Sequence, residues 1–229
     1  MVFLYLCYNR ARRSLTDMKL RNRAQAGEML SKLLINYQDS DAIILAIPRG
    51  GVLVGAPISK ALNLDLDIII TKKILHPHEH RAIGAIAQDG NPVFMSRDTS
   101  NIEMKWLNQE VRESRQEIAH RHTIYNKENT PLDLENKDVL LVTDGILSGL
   151  SAMAAIEECE RLKANSIVLV TPSLSVEAGH NLSPMVKKLV SLSVEETARQ
   201  NVDDYYEDEE EITDGDVIKV LMEISSDKK

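Results

Sequence analysis

The sequence predicts an α/β protein, a Rossmann-like parallel sheet flanked by helices on both faces. Three observations carry that expectation. Short apolar, β-branched runs alternate with stretches of helical spacing along the chain. The runs at 42–47, 66–71, 138–143 and 166–171 are apolar nearly throughout, the pattern of strands covered on both sides. Two of them end in glycine-rich turns that open a helix, the place where open α/β sheets bind ligands.

The elements follow in order. Residues 18–37 read as an amphipathic helix, with Ala24, Ala26, Leu30, Leu33 and Leu34 near helical spacing. Residues 42–47 form a buried strand closed by Pro48-Arg49-Gly50-Gly51, and 52–62 the helix after it. A second buried strand spans 66–71. Residues 74–81 are polar, carry His76, Pro77, His78 and His80, and read as a loop. The runs 82–87 and 92–95 flank Asp89-Gly90, a hairpin signal. Residues 99–121 form a long polar helix with Trp106 as a packing anchor. After the break at Asn129-Thr130-Pro131 the alternation resumes: strand 138–143, loop 144–151, helix 152–162, strand 166–171 and short strand 188–193. A capped helix over 213–224 closes the chain.

Composition narrows the function classes. The chain has 229 residues, 43% hydrophobic and 27% charged, which excludes whole-chain disorder and a fibrous repeat. A formal charge of −8 argues against a nucleic-acid partner. Two cysteines, Cys7 and Cys159, make no disulfide framework, which fits a reducing, cytoplasmic setting. No apolar run approaches the length of about 18 residues a membrane span needs, so no membrane association is expected. Residues 1–8 are apolar, but Arg10, Arg12 and Arg13 follow rather than precede them, the reverse of a secretory signal. Residues 1–17 are therefore read as an N-terminal extension, disordered or upstream of a start at Met18. Residues 18–229 are read as one domain. His76, His78 and His80 are read as part of a polar loop rather than as a metal site.

Two strand ends look built for phosphate. At Ile47-Pro48-Arg49-Gly50-Gly51, paired glycines let the backbone approach a ligand, the next helix offers free N–H groups, and Arg49 adds a forked cation. At Thr143-Asp144-Gly145-Ile146-Leu147-Ser148-Gly149-Leu150-Ser151, successive N–H groups can form an anion nest, with hydroxyls from Ser148 and Ser151. Asp144 would repel phosphate and suits a diol or a metal ion. An acid beside an anion nest points to a sugar phosphate. The bland alternative is a pair of ordinary capped turns. No P-loop and no G-x-G-x-x-G are present.

The loop at 142–151 resembles the phosphoribosyl-diphosphate (PRPP) loop of type I phosphoribosyltransferases. Leu20-Arg21-Asn22-Arg23 with Ala26-Gly27 resembles the F-x-D-R-x-x-A-G opening of the small bacterial and archaeal branch. Ile47 to Gly51 is similar to its P-R-G-G diphosphate loop, and Ala82-Ile83-Gly84-Ala85-Ile86-Ala87 to its A-I-G-A-[IV]-A segment. Tyr205-Tyr206-Glu207-Asp208 before Thr213-Asp214 loosely resembles its closing region.

The resemblance implies the family's sheet with a small hood. It also implies Mg²⁺-dependent transfer of the 5-phosphoribosyl group from PRPP to a nitrogen-containing acceptor, releasing diphosphate. By carry-over, Asp144 holds a ribose hydroxyl and contributes to the metal, residues 143–151 hold the ribose and 5-phosphate, and Arg49, Gly50 and Gly51 face the diphosphate. A mobile loop over 73–81 would exclude water, with Lys73 and Arg81 as catalytic cations beside Asp144 and Arg49. Asp203, Asp204, Tyr205 and Tyr206 are candidates for the acceptor pocket, since a tyrosine face can stack on a base. Many relatives are dimers, so a homodimer is an expectation. Thr143 stands where the family has its first acid, and Leu147 where purine-salvage members keep an acid. Those departures keep a second reading open: a catalytically degenerate module that senses PRPP or a nucleotide.

Overall fold

The computed structural model describes residues 6–7, 19–79, 81–88, 90–95, 102–125, 131–196, 199–208 and 211–227. Six strands form one parallel sheet: β1 (Leu6–Cys7), β2 (Ile43–Ala46), β3 (Asp65–Ile68), β7 (Asp138–Val142), β8 (Ser166–Ser175) and β9 (Lys188–Glu195). Their spatial order is β1-β9-β8-β7-β2-β3. Three further strands, β4 (Thr71–Leu75), β5 (Ala82–Ala87) and β6 (Val93–Phe94), make a separate antiparallel sheet in that order. The helices are α1 (Arg23–Leu33), α2 (Gly50–Leu62), α3 (Met104–Tyr125), α4 (Leu150–Arg161), α5 (Val176–Leu182) and α6 (Asp214–Asp227).

Side-chain alternation along each strand divides the core between the two faces. Ile43 and Leu45 of β2 point to one side with Leu141 and Leu169, under α4 and α5. Ile44 points to the other with Leu140, Val168 and Val190, under α1 and α2. The central strands therefore have to be apolar on both faces, and β2 is buried along its whole length, whereas the edge strand β3 carries Asp65 and Asp67. A third cluster, with Ile68, Ile70, Ile118 and Val217, ties α3 and α6 to the β3 edge. Trp106 packs against the small cluster of Ile74, Ile83 and Leu107. Among the described residues, no helix is long and apolar enough to cross a membrane.

The expected parallel sheet with helices on both faces is observed, and the structure corrects several boundaries. The apolar run 66–71 is not one strand. The β2 ladder ends just past Ile68, where the Ile69 N–H donates to Ala46 at 2.9 Å, and the chain then crosses into the second sheet at Thr71. The polar loop expected over 73–81 is in its first part a strand. Lys73 pairs with Ala85 across the β4–β5 ladder, and only the turn beyond Leu75 is irregular. Period two accounts for the difference: Lys73 faces outward, whereas Lys72 and Ile74 share the face that meets α3. The first helix starts at Arg23, because the Asn22 side chain caps it by accepting the Gln25 N–H at 3.0 Å. The hairpin is present, with Gly84 opposite Phe94. His80 and Asp89 lie outside the described residues.

Candidate functional site

Both glycine turns leave the carboxyl ends of adjacent strands, β2 and β7, and they touch. An ideal Cβ on Gly51 would stand 2.8 Å from the Val142 carbonyl oxygen and 3.2 Å from Thr143 Cα. One on Gly50 would overlap the Asp144 carboxylate and lie 2.7 Å from Arg23 Nε. Only glycine permits this approach. The first turn of α2 and the acid of the second loop therefore form one site. The Pro48–Arg49 peptide bond is cis.

The second loop is held from below by β8. The Ile146 N–H donates to the Ser173 carbonyl at 2.9 Å, and the Ser175 N–H returns to Ile146 at 3.3 Å. Ser175 Oγ, which also caps α5, donates to the Leu147 carbonyl at 3.1 Å. Gly149 takes a left-handed conformation, φ 82°, and opens α4. Residues 145–152 thus line a small cavity together with Thr143, Lys73 and Val202. Ser148 is exposed there. The loop is shaped before any ligand arrives, which lowers the ordering cost of binding.

The cations divide. Lys73 projects from β4 to the same cavity, exposed, and its side chain makes no hydrogen bond or ion pair to another described residue. Arg49 is exposed at the start of α2, and its side chain likewise makes no hydrogen bond or ion pair among the described residues. Arg81 does not join them: it pairs with Glu79 in the turn before β5 and does not line the cavity. Lys72, one residue from Lys73, points the other way and pairs with Glu117 of α3.

Asp144 is the loop's carboxylate, and its surroundings were not foreseen from the sequence. Arg23, the first residue of α1, donates from Nε to Asp144 Oδ2 at 2.9 Å. Its other arm reaches Asp203, and its guanidinium lies 4.4 Å from the centre of the Tyr206 ring. The Tyr206 hydroxyl donates to the Asp144 backbone carbonyl. Burial pushes the Asp144 carboxyl upward, and the Arg23 charge and hydrogen bond pull it back only in part. The Tyr206 hydroxyl is held well above its ordinary value by burial and by Asp144. Arg23 stays charged, because Asp144 and Asp203 outweigh its own burial. The signal for Arg23 was present in the opening motif, but nothing local told where its side chain would point.

The tyrosines are not acceptor platforms. Tyr205 keeps 3% of its exposure and Tyr206 none. Their faces are occupied: Arg23 covers Tyr206, and Arg199, held by Glu195, covers Tyr205 at 5.0 Å. Cys159 is buried in α4 with its thiol pushed up to about 12 by burial, so it is no nucleophile.

Among the described residues, no three His, Cys, Asp or Glu side chains converge as a metal cage. Mg²⁺ does not require one, since it is commonly held by one or two carboxylates, waters and substrate phosphates. Asp144 beside an anion nest fits that donor set.

The parallel α/β fold agrees with the type I phosphoribosyltransferase architecture expected from the sequence. Two curated relatives carry that class in their names. "Putative phosphoribosyl transferase Rv0571c" of Mycobacterium tuberculosis H37Rv is 27% identical over 154 residues, covering 66% of this chain and 35% of the relative. Its counterpart from strain CDC 1551, "Putative phosphoribosyl transferase MT0597", matches equally. The chain thus spans about a third of the length of the curated relatives it matches. The crystal structure of TT1426 from Thermus thermophilus has the same fold, with a TM-score of 0.76 and 29% identity over 90% of this chain and 99% of that one. No family model matches the chain.

Proposed function

We propose that the protein binds PRPP with Mg²⁺ and transfers its 5-phosphoribosyl group to a nitrogen nucleophile, releasing diphosphate. The observation that carries this reading is the contact between the two glycine turns. It sets an anion nest, a carboxylate and a second cationic helix start side by side. A sugar with phosphate at both ends and hydroxyls between them has that order of charges.

The N–H groups of residues 147–151, with Ser148 and Ser151, hold the 5-phosphate, while the Ile146 N–H is spent on the Ser173 carbonyl. Asp144 accepts from a ribose hydroxyl and offers an oxygen to the metal. The start of α2, with Gly50, Gly51 and Arg49, receives the diphosphate. In the reaction the bond from the anomeric carbon to a diphosphate oxygen breaks, and a carbon–nitrogen bond forms. The electron pair leaves with the diphosphate, and the acceptor nitrogen loses its proton. Negative charge therefore grows where Arg49 and the helix start stand, and fixed donors there stabilise the transition state, while Lys73 adds charge on the 5-phosphate side. When bound, Mg²⁺ supplies further charge neutralisation on the departing oxygens.

Thr143 favours a second reading, binding without turnover. Its side chain is buried, and its hydroxyl donates to the Gly145 carbonyl at 3.4 Å. The loop then offers one charged acceptor for the ribose instead of two. A PRPP-sensing module would keep the nest and lose the rate.

Calorimetric titration of PRPP with Mg²⁺ tests what both readings share, and saturable binding is expected. No binding at millimolar PRPP would refute both. A product assay across nucleobases separates them, because a sensor binds without forming a nucleotide.

A further inference from the structure

Residues 20–23 and 203–208 come from opposite ends of the chain, yet they close around Asp144. The Leu20 N–H donates to the Tyr205 carbonyl at 2.9 Å, and the Glu207 N–H returns to Leu20 at 2.8 Å. The Asp208 N–H donates to the Arg21 carbonyl at 3.1 Å, and Asn22 Nδ2 to Asp208 Oδ2 at 3.0 Å. This short ladder fixes the start of α1, and with it Arg23. The Arg23 side chain keeps 8% of its exposure, so it is seated inside the protein rather than in the ligand cavity.

We infer that Arg23 is a positioning residue. It holds the Asp144 carboxylate by Oδ2, above Gly50, so that the remaining acceptor capacity of Asp144 faces the ribose. Three constraints act on one acid. The guanidinium fork binds Asp144 with one arm and Asp203 with the other. The Tyr206 ring backs the guanidinium, and the Tyr206 hydroxyl fixes the backbone of Asp144 itself. Arg23 also cancels the charge of Asp144 beside the helix start that receives diphosphate. Without it, the carboxylate would repel that anion. A lysine would supply the charge but not the fork, since its ammonium is a point donor.

This inference rests on the PRPP reading of the site, and the experiment separates the two. Wild type, Arg23→Gln, Arg23→Lys, Asp144→Asn and the Arg23→Gln/Asp144→Asn pair are titrated with PRPP, ribose 5-phosphate and inorganic diphosphate. Thermal unfolding of each variant checks that it is folded. Asp144→Asn should weaken PRPP and ribose 5-phosphate about tenfold, the difference between a charged and a neutral hydrogen bond. Arg23→Gln should cost about the same, and the pair no more than either single change, because both act through one carboxylate. Arg23→Lys should recover part of the loss.

Full PRPP and ribose 5-phosphate affinity in Arg23→Gln would overturn the positioning role while leaving the PRPP reading intact. A loss of about a hundredfold in the pair, the product of the single effects, would overturn it as well, because Arg23 would then act on the ligand independently. So would a parallel loss of bare diphosphate binding in folded Arg23→Lys, the mark of general damage. Failure of wild type to bind PRPP would refute the reading itself, and the role with it.

Discussion

Gly50→Ala is the most direct test of how the two loops share one site. The added methyl would overlap the Asp144 carboxylate and approach Arg23 Nε to 2.7 Å. Neither group is a flexible chain end, for both belong to the buried arrangement around Arg23. Relief therefore means moving Asp144 off Arg23 or shifting the start of α2. Overpacking of this kind costs about 1–3 kcal/mol. Parting an acid from its partner adds to that cost, since losing a charged hydrogen bond is worth about 1.5–3 kcal/mol. Together they predict a loss of roughly 4 kcal/mol, near the middle of the summed range. Denaturant unfolding at neutral pH would measure it, with PRPP titration on the same sample. Affinity should fall by at least about tenfold, because ribose and diphosphate groups are displaced together. Gly215→Ala is the control. Gly215 lies in the first turn of α6, where the nearest atom to an added methyl is Thr213 Oγ1 at 3.4 Å. That change should stabilise the protein slightly, by up to about 1 kcal/mol. Unchanged stability and unchanged binding in Gly50→Ala would show that the two turns are not in contact, and the shared site would fall.

Two further variants probe the site from either side. Arg49→Ala should weaken PRPP and inorganic diphosphate about tenfold while leaving ribose 5-phosphate within about twofold; calorimetry that finds all three equally weakened would remove Arg49 from the diphosphate. Thr143→Asp should restore a second ribose acceptor and raise PRPP affinity about tenfold, at a cost in stability of about 3–5 kcal/mol for placing an unpaired charge where Thr143 is 7% exposed. Calorimetry paired with denaturant unfolding reads both effects, and stability loss without any gain in affinity would count against the ribose assignment.

Most of the large sheet was legible because its central strands carry apolar runs. That signal is local and survives in one dimension: 42–47 and 138–143 fall within a residue or two of β2 and β7. The second sheet was harder. Thr71–Leu75 has the alternation of a half-covered antiparallel strand, but two adjacent lysines mask it, and the Ile68–Ile70 run hides the point where the chain changes sheets. The short helix Val176–Leu182 went unread, because seven residues carry too few turns for a periodic pattern.

The site divides along the same line. Glycine turns after strands announce themselves, because the backbone geometry they permit is a property of the residues in the turn. Arg23 does not, because its importance lies in an acid 121 positions away. A charged residue near a chain end reads as solvated surface unless the ladder between residues 20 and 206 is known. That ladder also assigns a role to the acidic closing segment. Of the eleven acids in residues 195–216, Asp203 is bound by the Arg23 fork and Asp208 accepts from Asn22, so this stretch is in part the outer wall of the Asp144 site. The acid that faces the ribose is thus set by contacts from both ends of the chain. A substitution in either end that loosens the ladder is expected to act on ribose affinity before it acts on phosphate affinity, since the phosphate loop is anchored separately, through Ser173 and Ser175 of β8.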